Sequence, residues 1–424
     1  MKRFLLKGII NDRSRSLLPI IVVSLGVFVT VFMYCWIKGM IGESIVMNAN
    51  FNTGHVKIMT RAYAKDADQI PNDLALLDVE KLIGSLKKDY PTMDWVKRIR
   101  FGALVDFPDS AGETRAQGPV VGWAIDMFTE GTKEKQRFNL EASIVQGKTP
   151  QKSGEVLISE DLAHKFRVKP GNSFTLIGST MDGGMAFKNF VVAGTVRFGA
   201  RVIDKGAIII DIADAQKTFE MDDGAGEILG FFPFTLYDND KAQSVKSSFN
   251  KKYTDPKDDY SPVMITLKEQ AGMGEFIDQV DALVALFVFI FVFAMSVVIW
   301  NSGILGSMRR YSEFGVRLAL GEDKMHVYKT LIYEGLIIGF IGSVFGTALG
   351  LGLSYYVKVV GFDLSGMMQN STLMMPTIAR AEITPTAYYL GFIPGVFSMV
   401  LGNALAGIGI YKRNTARLFN ELEV

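Results

Sequence analysis

Two short stretches of this chain carry residue types that do chemistry. Gly147-Lys148-Thr149 has the ending of a phosphate-binding loop, in which backbone N–H groups cradle phosphates and the lysine reaches the outer ones. Such a loop needs a glycine five residues before Gly147 and a helix after it. Ala142 and Pro150 stand there instead, so no nucleotide site is expected. The second stretch, RRYSEFGVRLALG over 309–321, sets Arg310 and Glu313 at the i,i+3 spacing that pairs charges on a helix. Arg317 follows, Phe314, Val316, Leu318 and Leu320 supply apolar contacts, and Gly315 and Gly321 permit close approach or a turn. A short helix lying at the membrane surface here would present Arg310, Glu313 and Arg317 towards the cytoplasm. The bland alternative is a solvated loop with snorkelling arginines.

Little else suggests catalysis. His55, His164 and His326 are far apart, and the one cysteine, Cys35, excludes an intrachain disulfide framework and any multi-cysteine metal cluster. There is no nucleophile elbow and no HExxH pair. We expect no catalytic, cofactor-binding or metal-binding residue, and no enzyme. Lys plus Arg number 45 against 44 Asp plus Glu, so no global charge drives nucleic-acid binding.

The elements that must position these residues follow from hydropathy. Of 424 residues, 49% are hydrophobic and 21% charged, with a mean hydropathy of +0.22. That is too apolar for a soluble chain and too polar for one that is membrane throughout. The apolar residues gather in four uncharged runs: Leu17–Ile37, Ala282–Met308, Gly335–Val357 and Ala387–Tyr411. The first run is about 31 Å long as a helix, enough to cross a bilayer. It exceeds a signal peptide's apolar core, and Lys38-Gly39-Met40 offers no small-residue cleavage site. It reads as a retained anchor, with Cys35 an ordinary small apolar residue.

Basic residues set the topology. Lys2, Arg3, Lys7, Arg13 and Arg15 precede the first span; Arg309, Arg310, Arg317, Lys324 and Lys329 follow the second; Lys412, Arg413 and Arg417 follow the fourth. The expected plan is a cytoplasmic amphipathic segment (1–16), span one (17–37), an extracytoplasmic domain with its stalk (38–281) and span two (282–308). A cytoplasmic loop (309–334), span three (335–357), a short outer loop (358–386), span four (387–411) and a cytoplasmic tail (412–424) complete it.

The external segment reads as α+β. Leu77–Tyr90 has helical periodicity, while Val96–Phe107, Gly118–Ile125, Val156–Ser159, Asn172–Ile177 and Phe190–Phe198 read as strands. Ser159 is placed to cap a short helix, with acids in its first turn. AIIIDI from Ala207 reads as a buried strand before a helix over 213–219. Leu267–Asp281 has helical spacing and is expected to run straight into span two.

Arg310-x-x-Glu313-Phe314-Gly315-x-Arg317-x-Ala319-Leu320-Gly321, with Glu334-Gly335 and a glycine-rich third span, resembles the FtsX/MacB/LolC-LolE family of ABC-transporter permeases. Asn11, Arg15 and Ser16 before LLPIIVVSLGV resemble its first span, and Gly54-His55-Val56-Lys57-Ile58 resembles the start of the external domain in the lipoprotein-releasing branch. Gly154–Ser159 with Leu162-Ala163 and Gly171-Asn172, and the stretch Val191–Gln216, are similar to its core domain. The chain departs after span four, where Ile410-Tyr411-Lys412-Arg413 replaces the family's Pro-Ala pair.

The resemblance implies a fold: four transmembrane helices with a large α+β, MacB-like periplasmic core between helices 1 and 2, in a bacterial inner membrane. It also implies that Arg310, Glu313, Phe314, Gly315, Arg317, Ala319, Leu320 and Gly321 couple to a cytoplasmic ABC ATPase dimer. ATP and Mg would be bound by that separate partner, since 16 residues before span one leave no room for MacB's fused ATPase. Further implied partners are a second permease copy or a sister permease, lipidated or amphipathic cargo, and membrane lipid. The implied work is mechanotransmission that extracts or releases lipoproteins. MacB-like efflux of peptides, toxins or drugs, and FtsX-like regulation of cell-wall hydrolases, are the alternatives.

Gly335 and Gly339 are four apart, as are Gly342, Gly346 and Gly350. Small residues at that spacing let helix backbones meet in lipid, either as static packing or as a dimer seam or sliding contact. Glu334 is expected at the membrane edge, Met367, Met368, Met374 and Met375 form an adaptable apolar patch in the outer loop, and Thr384-Pro385 starts a helix.

Overall fold

Inside lipid, a helix satisfies its own backbone hydrogen bonds, so each uncharged run commits to one. The computed structural model describes residues 13–109, 112–198, 201–233, 237–270, 272–308, 311–363 and 378–412. Four of its helices are long and apolar enough to cross a membrane. The first, α1 (Arg13–Asn48), runs past the expected end at Ile37 and closes in a π-turn over Ala49–Thr53. The N-terminal segment 1–12, the outer-loop methionines and the tail beyond Lys412 lie outside the described residues.

The domain that follows comprises β1 (Val56–Thr60), α2 (Val79–Asp89), β2 (Asp94–Pro108), β3 (Thr114–Ile125) and the one-turn helix α3 (Glu134–Arg137). Next come β4 (Ile144–Gly147), β5 (Glu155–Ser159), α4 (Glu160–Phe166), β6 (Ser173–Ser179) and β7 (Met185–Val196). It ends with β8 (Ala207–Asp211), α5 (Ile212–Thr218), β9 (Glu227–Phe231), α6 (Asn239–Tyr253) and β10 (Pro262–Thr266). Each strand expected from the sequence falls on an observed one. No expectation covered β1, β9, β10 and β4. The first two are buried on both faces and so lack the alternation that marks a half-buried strand.

β2 organises this domain because it is long enough to serve two sheets. Its first half, Asp94–Arg98, pairs β9, and through β9 come β1 and β10. Its second half pairs β3 on one side and, at Leu104–Asp106, β6 on the other. Since β3 continues through β8, β5 and β7 back to β6, six strands close into a barrel. Phe101, Phe107, Phe174 and Phe190 fill the core, and α2 and α6 add Leu86 and Phe249. Ser159 caps α4 as expected, accepting the Leu162 N–H at 3.4 Å. The phosphate-loop look-alike is the end of β4: Gly147 has φ +79° and coil follows it.

The helix expected from Leu267 is not continuous. Leu267–Glu269 is a single 3-10 turn, Gly272 takes φ +74°, and α7 (Met273–Met308) begins only after it. The glycine's left-handed conformation breaks a run that apolar spacing alone would join.

Three further elements complete the helical unit: α8 (Tyr311–Ala319), α9 (Lys324–Val360) and a broken fourth apolar segment, labelled span four after the sequence run it occupies. That span is α10 (Ala387–Leu390), a π-turn over Ile393–Phe397 and α11 (Ser398–Lys412). Pro394, which has no N–H to donate, sits in the wide turn. The most apolar stretch of α7 is 11% buried, against 39% for α1 and α9 and 50% for span four. α7 therefore flanks a bundle built by the other three.

Candidate functional site

The α8–α9 corner is set by local rules. α8 ends in a Schellman arrangement: the Glu322 N–H donates to Arg317 O at 3.1 Å and the Gly321 N–H donates to Leu318 O at 3.1 Å. Gly321, with φ +89°, occupies the left-handed position this cap requires. Across the turn, Arg317 Nε and Nη2 each donate to the Glu322 carboxylate at 2.7 Å. These bonds to Arg317 hold the Glu322 carboxyl below the usual carboxylate range. His326 Nε2 stands 3.7 Å from the same carboxylate. Leu318 packs on Val327 and Leu331 of α9, so the corner has an apolar footing as well.

Of the residues expected to couple, Gly315 is buried, Arg317 is half-buried, and Ala319, Leu320 and Gly321 face solvent. Leu320 is 83% exposed, and Val316, one turn earlier, is exposed beside it. Glu313 and Phe314 lie on α8, but their side chains and the whole of Arg310 are outside the described residues, so the Arg310–Glu313 pairing is too. Sequence reasoning missed Glu322. Its partner is five residues away across a glycine, a spacing that helical periodicity does not flag.

The five stripe glycines of α9, Gly335, Gly339, Gly342, Gly346 and Gly350, face neighbours in the same chain, whereas Gly352 borders open space. A Cβ at Gly335 would lie 2.4 Å from Asn403 Nδ2, and one at Gly339 2.8 Å from Gly395 O, both in span four. At Gly342, Gly346 and Gly350 it would meet Val23, Ser24 O and Val31 of α1 at 2.6, 2.5 and 3.0 Å. On these faces the stripe meets α1 and span four within the chain. Glu334 lies on α9, half-buried.

In the external domain, the polar groups concentrate where α1's extension ends. Gly54 stops the π-turn at φ +60°, ψ −178°, a conformation only glycine adopts readily. Arg98 of β2, with no exposed surface, donates to both carboxylate oxygens of Glu134 at 2.7 and 3.1 Å and to Phe51 O of the π-turn at 3.0 Å. Arg137 donates to Glu134 at 2.9 Å and to Asp94. Beside this cluster, Lys57 pairs with Glu227 at 2.5 Å, and burial pushes the Lys57 ammonium pKa down. Arg98 escaped sequence reasoning because a lone arginine among strand residues reads as a solvated edge.

Such an arrangement, long apolar helices joined to a mixed α/β domain, with a short capped helix between two of them, defines a membrane protein with a large domain outside the bilayer. Comparison with known proteins gives the family. The profile described as MacB-like periplasmic core domain matches residues 16–283, and that described as FtsX-like permease C-terminal matches 285–415. The first alone covers more than half of the chain, which belongs to the FtsX/MacB/LolC family of ABC-transporter permeases.

Curated relatives are distant. The lipoprotein-releasing system transmembrane protein LolC of Xylella fastidiosa is 24% identical over 214 residues, covering 49% of this chain and 50% of LolC. An uncharacterized ABC transporter permease of Methanocaldococcus jannaschii is 22% identical over 219 residues, 50% of this chain and 51% of that one. The chain thus spans about half the length of the curated relatives it matches. Among solved structures, the periplasmic region of MacB from Actinobacillus actinomycetemcomitans aligns with a TM-score of 0.35 at 11% identity, over 55% of this chain and 94% of that one.

Proposed function

We propose that the chain is the permease subunit of an ATP-driven complex in the bacterial inner membrane, with both termini cytoplasmic and the domain between α1 and α7 in the periplasm. A separate cytoplasmic ATPase dimer binds ATP and Mg. It pushes on α8, whose exposed Val316 and Leu320 offer an apolar footing. The observation that carries this reading is the braced corner: the Gly321 cap and the Arg317–Glu322 pair join α8 to α9, so a push on one turns the other. α7 and α1 are single helices that reach beyond their apolar stretches, and each passes movement outward without a channel. Lys38 of α1 and Asp281 of α7 pair at 2.8 Å.

The cargo we favour is lipidated protein lifted from the outer leaflet. The likeness to a lipoprotein-releasing LolC and the Gly54-His55-Val56-Lys57-Ile58 start of the domain support it. A second permease, identical or a sister chain, completes the complex; α7, with one side on the bundle and broad apolar surface left over, supplies contact area for it.

The test is ATP turnover by the partner ATPase, reconstituted with the full chain in lipid. Glu313→Lys and Gly321→Trp should abolish the stimulation while leaving insertion intact; unchanged turnover would sink the coupling role. Depletion followed by membrane fractionation then decides the cargo. Outer-membrane lipoproteins stranded in the inner membrane support extraction, and normal sorting with altered efflux or division supports a MacB-like or FtsX-like role.

A further inference from the structure

A cavity of about 440 Å³ lies within the external domain, beside the end of the α1 extension. That volume falls in the range of small-molecule sites. Val46, Pro91, Met93, Phe232 and Pro233 make its apolar walls. The polar groups lining it are Asn50, His55, Lys133 and Arg137 together with Thr92 and the Asp94 carboxylate, which is paired with Arg137.

His55 is the informative member. It is 3% exposed, and its Nδ1 accepts the Phe232 N–H at 2.9 Å. In a neutral imidazole the proton then sits on Nε2, which has no hydrogen-bond partner among the described residues. That N–H is not sealed from solvent, so an acceptor can reach it from the cavity that His55 lines. Burial and the nearby Arg137 charge hold the His55 pKa down at about 4, so the ring is a neutral donor at physiological pH.

Charge narrows the acceptor further. Arg98 and Arg137 are matched by Glu134 and Asp94. Lys133, exposed at the cavity, has no carboxylate partner among the described residues and leaves one positive charge in excess. The Asn50 side chain, half-buried, also has no partner among the described residues. Arg137 is stacked over Phe231 with its guanidinium carbon 4.0 Å from the ring centre, which fixes that wall in place.

We infer that this cavity is a binding site for a small amphipathic monoanion, a carboxylate on a short apolar body. The head accepts from His55 Nε2–H, the Asn50 amide and the Lys133 ammonium, and the body lies against Phe232 and the two prolines. This goes beyond the transport reading and does not depend on ATP coupling.

The probe is 4-phenylbutyrate, water-soluble and amphipathic, titrated by saturation-transfer NMR against the full chain in lipid nanodiscs. Its neutral amide and acetate serve as body-only and head-only comparisons. Saturable binding is expected, with the amide and acetate each at least about tenfold weaker, the ratio that loss of one charge-assisted contact or of the apolar wall implies. Lys133→Ala and Asn50→Ala, both at accessible positions, should each weaken phenylbutyrate severalfold without moving the thermal midpoint. Equal binding of the carboxylate and its amide, or wild-type binding by both variants at an unchanged midpoint, would overturn the assignment.

Discussion

Arg317 and Glu322 face each other across Gly321, joined by two charge-assisted hydrogen bonds of 2.7 Å. In the usual Schellman cap, the residues at these two positions make an apolar contact. Here an ion pair takes that place and locks the exit of α8 to the entrance of α9.

The first prediction concerns that lock. Arg317→Ala, Glu322→Gln and Gly321→Ala should each lower partner-stimulated ATP turnover, the glycine change also costing about 1 kcal/mol of local stability. The reciprocal swap Arg317→Glu with Glu322→Arg should recover part of the loss. Because Arg317 depresses the Glu322 pKa, the pair's contribution is present at neutral pH and lost as pH falls through that lowered value. Coupling that is insensitive to all three changes would show the corner plays no part in it.

Gly54 gives a backbone prediction. An added Cβ would lie 2.8 Å from Val56 O and 3.0 Å from Leu229 Cβ, at a φ of +60°. Gly54→Ala should therefore destabilise the external domain by about 2–3 kcal/mol. Thermal unfolding followed by circular dichroism measures this; an unshifted midpoint would mean the π-turn relaxes freely.

The buried charges on β2 and α3 test a different balance. Removing one partner of a buried pair costs about 3–5 kcal/mol, because the other charge stays behind. Glu134→Gln, which strips a partner from both Arg98 and Arg137, should be worse than Arg98→Met, after which Glu134 keeps Arg137. Denaturant unfolding of both single variants and the double variant gives the coupling energy, and strict additivity would contradict a shared network.

His55 predicts a pH dependence. Its folded pKa of about 4 lies below the ordinary value of 6.5, so the unfolded chain binds the extra proton first as pH falls. The stabilisation is complete above pH 6.5, declines between 6.5 and 4, and amounts to about 3 kcal/mol in all. His55→Gln, which keeps an acceptor for the Phe232 N–H, should flatten this slope in chemical unfolding of the domain between pH 7 and 4.5. An equally steep slope in the variant would assign it to other groups.

Much of the architecture is legible in the residues alone. Four uncharged runs locate the four long apolar helices, because hydropathy is local and lipid leaves the backbone one choice. Phe101, Phe107, Phe174 and Phe190 sit in strands with turn residues between them, so the barrel's staves can be named singly. Ser159 announces its cap because the donor it serves is three residues away.

What only tertiary structure decided is pairing at a distance. β2 meets β6 and β3 meets β8 across scores of residues, and nothing local to either strand states its neighbour or closes the ring. Arg98 finds Glu134 and the Phe51 carbonyl only once β2, α3 and the end of α1 converge. The glycines of α9 advertised a close contact, yet which helix fills it depends on where α1 and span four are brought. Composition and period report what a segment buries; the folded chain alone decides against what, because the partner's position is a property of every intervening turn.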